Sequence, residues 1–157
     1  MPEPDISGWT FPRSAGGETW RSAMNEDGMR IFRNPSPNAV HPPVTGYHHQ
    51  VEVGSWRRWV VLSGQVGVQP DGQVPQDPIE QLVVALENVR QNLFAADLRV
   101  DDVVKLTFHL VGDVDKQRLH EVVAGWLAGH APAMTMLFVA GLAEPGYRVQ
   151  VEVWAAH

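Results

Sequence analysis

Seven histidines and no cysteine set the chemistry open to this 157-residue chain. Without thiols there is no disulfide, no thiolate metal site and no cysteine nucleophile. Histidine remains as the side chain that exchanges protons near neutral pH. His120-Glu121-Val122-Val123-Ala124 begins like the zinc-protease helix motif, but Ala124 stands where the second histidine is needed. His48 and His49 are neighbours on an extended stretch, so their side chains point to opposite faces and cannot share one ion. No bound metal is expected. Ser63-Gly64-Gln65-Val66-Gly67 lacks the lysine of a phosphate-binding loop. It is not a nucleophile elbow either, because Val61 occupies the first glycine position. Ser63 reads as a pocket hydroxyl at the end of a strand or as an ordinary strand-end hydrogen-bonding group.

Twelve basic against eighteen acidic side chains give a formal charge of −6. A nucleic-acid surface wants clustered Lys and Arg, so no nucleic-acid partner is expected. The first residues, Met1-Pro2-Glu3-Pro4-Asp5, are acidic and do not resemble a secretory signal. No apolar run approaches the ~20 residues of a membrane helix. A cytoplasmic protein with no membrane partner is expected.

The elements that must position these groups are legible in the periodicity. Residues 1–40 are rich in Gly, Pro, Ser and Asn, yet carry Trp9, Phe11, Trp20, Met24, Met29, Ile31 and Phe32. That is too much apolar surface for a solvated tail. The segment is expected to be an N-terminal extension, packed on its own domain or clasping a neighbouring subunit. The domain proper is expected over 41–157. Gln50–Val53 alternates and Trp59–Leu62 is a short apolar run, which reads as a hairpin joined by a glycine-containing loop. Gln69-Pro70-Asp71-Gly72 is a turn.

Asp77-Pro78-Ile79-Glu80 opens a helix with a capping acid and a proline in its first turn. Ile79, Leu82, Val83, Leu86, Val89 and Leu93 form its stripe, with Val84 off it and an end near Ala96. From Val103 to Leu110 a strand sends Val104, Leu106, Phe108 and Leu110 one way. Val103, Lys105, Thr107 and His109 go the other way. Asp113 is expected to cap a second helix with Leu119, Val122, Val123, Trp126 and Leu127 on its apolar face, stopping at Gly129. Strands over Met134–Ala140 and Arg148–Trp154 complete a β-β-α-β-α-β-β order. The fold class is α+β, one sheet with two helices packed on one face. The uncovered face predicts a homo-oligomer.

Four stretches taken together resemble the Rid family, also called YjgF. They are Gly46-Tyr47-His48-His49-Gln50; Val61-Leu62-Ser63-Gly64-Gln65-Val66; Ala85-Leu86-Glu87-Asn88-Val89 with Asp101-Asp102-Val103-Val104-Lys105-Leu106-Thr107; and Pro132-Ala133-Met134 with Val149-Gln150-Val151-Glu152. The likeness spans about residues 44 to 156. It implies a chorismate-mutase-like fold, a homotrimer with pockets between subunits, no cofactor, and hydrolysis of small imine or enamine metabolites. In such pockets an arginine grips the substrate carboxylate.

Carried onto this chain, the resemblance is uneven. The family tyrosine falls on Tyr47 and the Ser-Gly-Gln strand on Ser63, Gly64 and Gln65. The arginine falls on Met134, followed by Thr135. The catalytic glutamate falls on Gln150, and a helix asparagine on His120. Methionine offers an apolar, polarizable surface and cannot hold a carboxylate. Glutamine can orient water but cannot take a proton. Glu152 shares the strand face of Gln150, and a two-residue slip would put it where the acid belongs. The expected catalytic set is therefore Tyr47, His49, His120 and Gln150. The expected substrate-binding set is Ser63, Gly64, Gln65, Met134, Thr135 and Glu152. For Tyr47 and His49 an interface role stays open; for Met134 and Met136 a core role does. Arg148, on the parity of Gln150, is a candidate for the missing positive charge. The function expected is a Rid-like hydrolase that differs from the standard 2-imino acid deaminase; the alternative is a non-catalytic trimer that binds a small molecule.

Overall fold

The computed structural model describes residues 21–25, 28–34, 47–54 and 58–157. The expected extension over 1–40 falls largely outside the described residues, as do residues 55–57 of the expected hairpin loop. The described strands are β1 (Arg21–Asn25), β2 (Gly28–Arg33), β3 (Gln50–Val53), β4 (Trp59–Val66), β5 (Val103–Val111), β6 (Ala133–Val139) and β7 (Val149–Ala156). The helices are α1 (Pro78–Ala95) and α2 (Lys116–Leu127).

Alternation along β5 builds the centre of the molecule. Leu106, Phe108 and Leu110 are fully buried, against Val149, Val151 and Val153 of the neighbouring β7 and the apolar stripes of both helices. The four-stranded sheet runs β4-β7-β5-β6, with β5 and β6 parallel and the other pairs antiparallel. Both helices lie on one face, as the mixed α+β pattern requires.

The helix starts follow capping chemistry. The Asp77 carboxylate accepts from the Ile79 amide at 2.8 Å and pairs with Arg118 of α2 at 2.9 Å, so one acid ties the two helices together. The cap of α2 is Asp115, not Asp113: its carboxylate accepts from the Gln117 and Arg118 amides. Within α1, Val83 is half-exposed, while Ala85 and Gln81 are buried. Gln81 holds three backbone groups at once. It donates to the carbonyls of Pro75 and Gly146 and accepts from the Arg148 amide. Polar satisfaction, not hydrophobicity, puts it inside. Its backbone also crosses Gly67 so closely that a Cβ there would lie 2.6 Å from the Gln81 Cα. The turn at Gln69 forms as expected, with Gly72 at φ +86° donating to the Gln69 carbonyl.

The hairpin expected between Gln50–Val53 and Trp59–Leu62 is not formed. β3 pairs antiparallel with β2, which pairs with β1, in a separate three-stranded sheet. Alternation shows that a strand has a buried side; it does not name the partner.

Candidate functional site

The two faces of the four-stranded sheet carry different residue types. On the face away from the helices, β5 and β7 lay polar groups opposite one another: His109 with Gln150, Thr107 with Glu152, and Lys105 with Trp154. Apolar residues flank this ladder, Val61 on β4 beside Trp154 and Leu137 on β6 beside His109. Lys105 is the single Lys or Arg in the four strands of this sheet. Its ammonium donates to the Thr135 hydroxyl. Partial burial lowers its pKa from the ordinary lysine value.

The Ser63-Gly64-Gln65 stretch joins this face through an irregularity. The pairing of β4 with β7 shifts register between Leu62 and Gln65. Gly64 lies under the Gln150 side chain, and a Cβ there would stand 2.4 Å from its amide nitrogen. A residue without a side chain is what allows the approach. Ser63 is exposed on the same strand, whereas Gln65 is spent locally. It donates to the Ser63 carbonyl and accepts from Asn92 of α1.

Met134 lies on the other face. It is opposite Leu106 and half-buried against the core, while Met136 and Phe138 continue the same row outward and are exposed. Its neighbour Thr135 is on the open face, opposite Thr107. Tyr47 and His49 precede β3 and meet edge to face, ring centres 5.5 Å apart. The His49 amide donates to the Asn34 side chain. Between them, the His48 Nδ1 is 2.7 Å from the Ala131 carbonyl, in the segment that leads into β6. Phe32 of β2 packs on both His48 and His130, and His130 in turn reaches the Val103 carbonyl. The Tyr47–His49 stretch is thereby held beside the start of β6.

The expected residues thus lie in separate parts of one chain. Gln150, Glu152, Gly64 and Thr135 belong to the open face. Met134 is on the helix side of the edge strand, near the segment that His48 anchors. His120 is exposed on α2, in the layer on the far side of the sheet from Gln150. Arg148 does not supply a positive charge to the ladder. Its guanidinium donates to the Val111 and Asp113 carbonyls. Among the described residues no group of three His, Asp or Glu side chains could hold a metal.

His109 was not among the expected site residues. The alternation of β5 already put it opposite the core, but no motif drew attention to it. Its Nδ1 is buried and has no hydrogen-bond partner among the described residues. An orphaned buried polar atom costs about 1–3 kcal/mol. Such exceptions are rare enough to call for an explanation.

The profile of the family described as Endoribonuclease L-PSP matches residues 38–157. The mouse 2-iminobutanoate/2-iminopropanoate deaminase is 34% identical over 127 residues, 80% of this chain and 88% of that protein. Among solved structures, the Rid-family protein YyfB of Yersinia pestis is 27% identical with a TM-score of 0.70, covering 82% of this chain and 98% of its own. Escherichia coli TdcF with bound serine is 30% identical with a TM-score of 0.59, covering 73% of this chain and 91% of its own. The chain belongs to the Rid/YjgF family and has its chorismate-mutase-like fold. Relatives in this family are named as deaminases of reactive intermediates or of 2-iminobutanoate and 2-iminopropanoate.

Proposed function

We propose that this protein is a hydrolase of the deaminase type, acting on a small imine or enamine without a carboxylate, in a pocket between subunits of a homotrimer. The observation that carries the reading is the apolar Met134 at the edge of a sheet that keeps the Ser63-Gly64 bulge against Gln150. A carboxylate placed beside Met134 would lose its water and gain no donor in return. An apolar or aromatic substrate would keep the contact favourable.

Two features support assembly. Half-exposed Trp59, Val61, Trp154 and Leu137 make an apolar rim around the polar ladder of the open face. Large exposed patches of this kind are normally covered by a partner. In addition, Met134 and Gln150 lie on opposite faces of one sheet, so a pocket holding both draws them from two chains. Tyr47 and His49 would join the Met134 side. Glu152, Thr135 and Ser63 would join the Gln150 side, and His120 would reach the pocket only from a neighbour's helix layer. Residues 1–40 would serve as an extension that covers this assembly. No cofactor is required for the hydrolysis, and a cytoplasmic setting suits a metabolite of this kind. Among the described residues no helix is long and apolar enough to cross a membrane. RNA cleavage, suggested by the family's description, fits poorly with a net charge of −6.

Ammonia release from 2-iminobutanoate and from a carboxylate-free ketimine, each generated in situ, tests the reading. The ketimine is expected to be the better substrate, and Met134→Arg to shift preference toward 2-iminobutanoate. Faster wild-type turnover of 2-iminobutanoate would overturn the substrate class. The replacement of both the arginine and the glutamate favours a second reading, a binding trimer without turnover. Saturable binding of an aromatic probe by calorimetry, with no ammonia from either imine, would establish it.

A further inference from the structure

We propose that His109 is the residue that moves the proton in this hydrolysis, working beside Gln150; the proposal rests on the imine-hydrolase reading above. His109 and Gln150 are direct cross-strand partners on the open face. Gln150 occupies the position of the family's acid, and an amide has no site that takes up a proton at neutral pH. An imidazole does. The His109 Nδ1 is buried without a partner, so the ring is not committed to holding the fold together. His48 is committed to the Ala131 carbonyl and His130 to the Val103 carbonyl. His49 precedes a strand of the other sheet and His120 is on the helix layer, so either would enter the pocket only from a neighbouring chain, whereas His109 stands directly beside Gln150.

The charged and titratable groups around His109 are few. From β7, Glu152 is diagonal to it, and Arg148 shares its side but donates to the Val111 and Asp113 carbonyls. On β5 itself Lys105 is bonded to Thr135. The residues of β6 on this face, Thr135, Leu137 and Val139, do not titrate.

The step balances without a co-reactant. The substrate enters as its protonated iminium. Gln150 orients a water, whose oxygen bonds to the iminium carbon while His109 takes one of its protons. The C=N π pair moves onto nitrogen and gives a neutral carbinolamine. The imidazolium then returns the proton to the amino nitrogen. The C–N bond breaks with its pair on nitrogen, the oxygen pair forms C=O, and the hydroxyl proton leaves with ammonia. The sum is iminium plus water to carbonyl compound plus ammonium.

The test compares wild type, His109→Gln and His109→Phe on the carboxylate-free ketimine and on 2-iminobutanoate, with circular dichroism as the check on folding. A positioned acid–base group contributes about 10²–10⁴-fold, so kcat/KM is expected to fall by roughly 10²-fold or more in both variants. KM is expected to change little, and the acid limb of the wild-type pH profile to disappear in His109→Gln. A folded His109→Gln with wild-type kcat/KM and pH profile overturns the role of His109 and leaves the hydrolase reading standing. Absence of turnover of both imines by wild type overturns the hydrolase reading and this proposal with it. If both variants fail to fold, the imidazole resonances of intact wild type are followed by NMR during titration with butan-2-one, the ketimine's product. A selective shift at His109 supports the role, and no shift at saturating product overturns it.

Discussion

On one side of the four-stranded sheet, Leu106, Phe108 and Leu110 are completely shielded beneath two helices. One step along the same strand, Lys105, Thr107 and His109 lie on the side away from the two described helices. The two sets share a backbone and a pattern of alternation, yet they obey different rules. The covered side contains residues that close-pack, and a polar residue buried among them, Gln81, is bonded to three backbone groups. The open side contains residues that hydrogen-bond, exchange protons or leave apolar edges exposed. A difference this sharp along one strand shows that the first set stabilises the fold. On the reading proposed above, the second set serves contacts outside the chain.

Substitutions on each side of the sheet separate the two roles. The largest effect is expected on the covered side. Phe108→Ala removes a fully buried ring, and urea denaturation should show a loss of about 3–5 kcal/mol. A loss under that range would mean that the core can collapse around the cavity. Trp154→Glu on the open side is expected to leave the far-ultraviolet circular dichroism unchanged. It should convert the assembly to monomers in sedimentation velocity, because a charge would be placed in an apolar contact. A monomeric wild type would remove the reason for the open side's apolar rim. The smallest effect belongs to the helix layer. Asp77 has its pKa lowered by the Ile79 amide first and by Arg118 second. Its stabilising contribution is therefore complete above the unfolded carboxylate value of about 3.9 and fades as pH falls through the lower folded value. The melting temperature of Asp77→Ala should lie below wild type at neutral pH, and the two should converge in strong acid.

Much of the covered side was legible in the sequence. The stripe of α1, the alternation of β5 from Lys105 onward and the narrow face of α2 follow from spacing, but a register shift between Val103 and Lys105 puts Val103, not Val104, in the core cluster. The misplacements were local. Val83 is apolar and at stripe spacing, but the stripe admits Ala85 and the hydrogen-bonded Gln81 instead. Asp113 and Asp115 offer the same capping chemistry two residues apart, and only the backbone decides that Asp115 accepts from the helix amides. The pairing of β3 was not legible, because its partner β2 lies in a segment of weak periodicity. The open side was legible by parity alone. Gln150 and Glu152 share one strand face, as their spacing requires, but the orphaned Nδ1 of His109 depends on the packing of its neighbours. Sequence spacing also could not show that Met134 and Gln150 lie on opposite faces, since strand parity is defined only after β6 pairs with β5.

The proposed catalytic pocket joins the helix-side edge of one subunit to the open face of another. Complementation tests it directly. Met134→Asp and Gln150→Leu are each expected to abolish ketimine hydrolysis as pure proteins. Hybrids formed by mixing and reassembling the two should regain a fraction of wild-type activity, because some pockets then receive an intact edge from one chain and an intact face from the other. Hybrids that form, as seen by native mass spectrometry, and remain inactive would contradict a pocket shared between subunits.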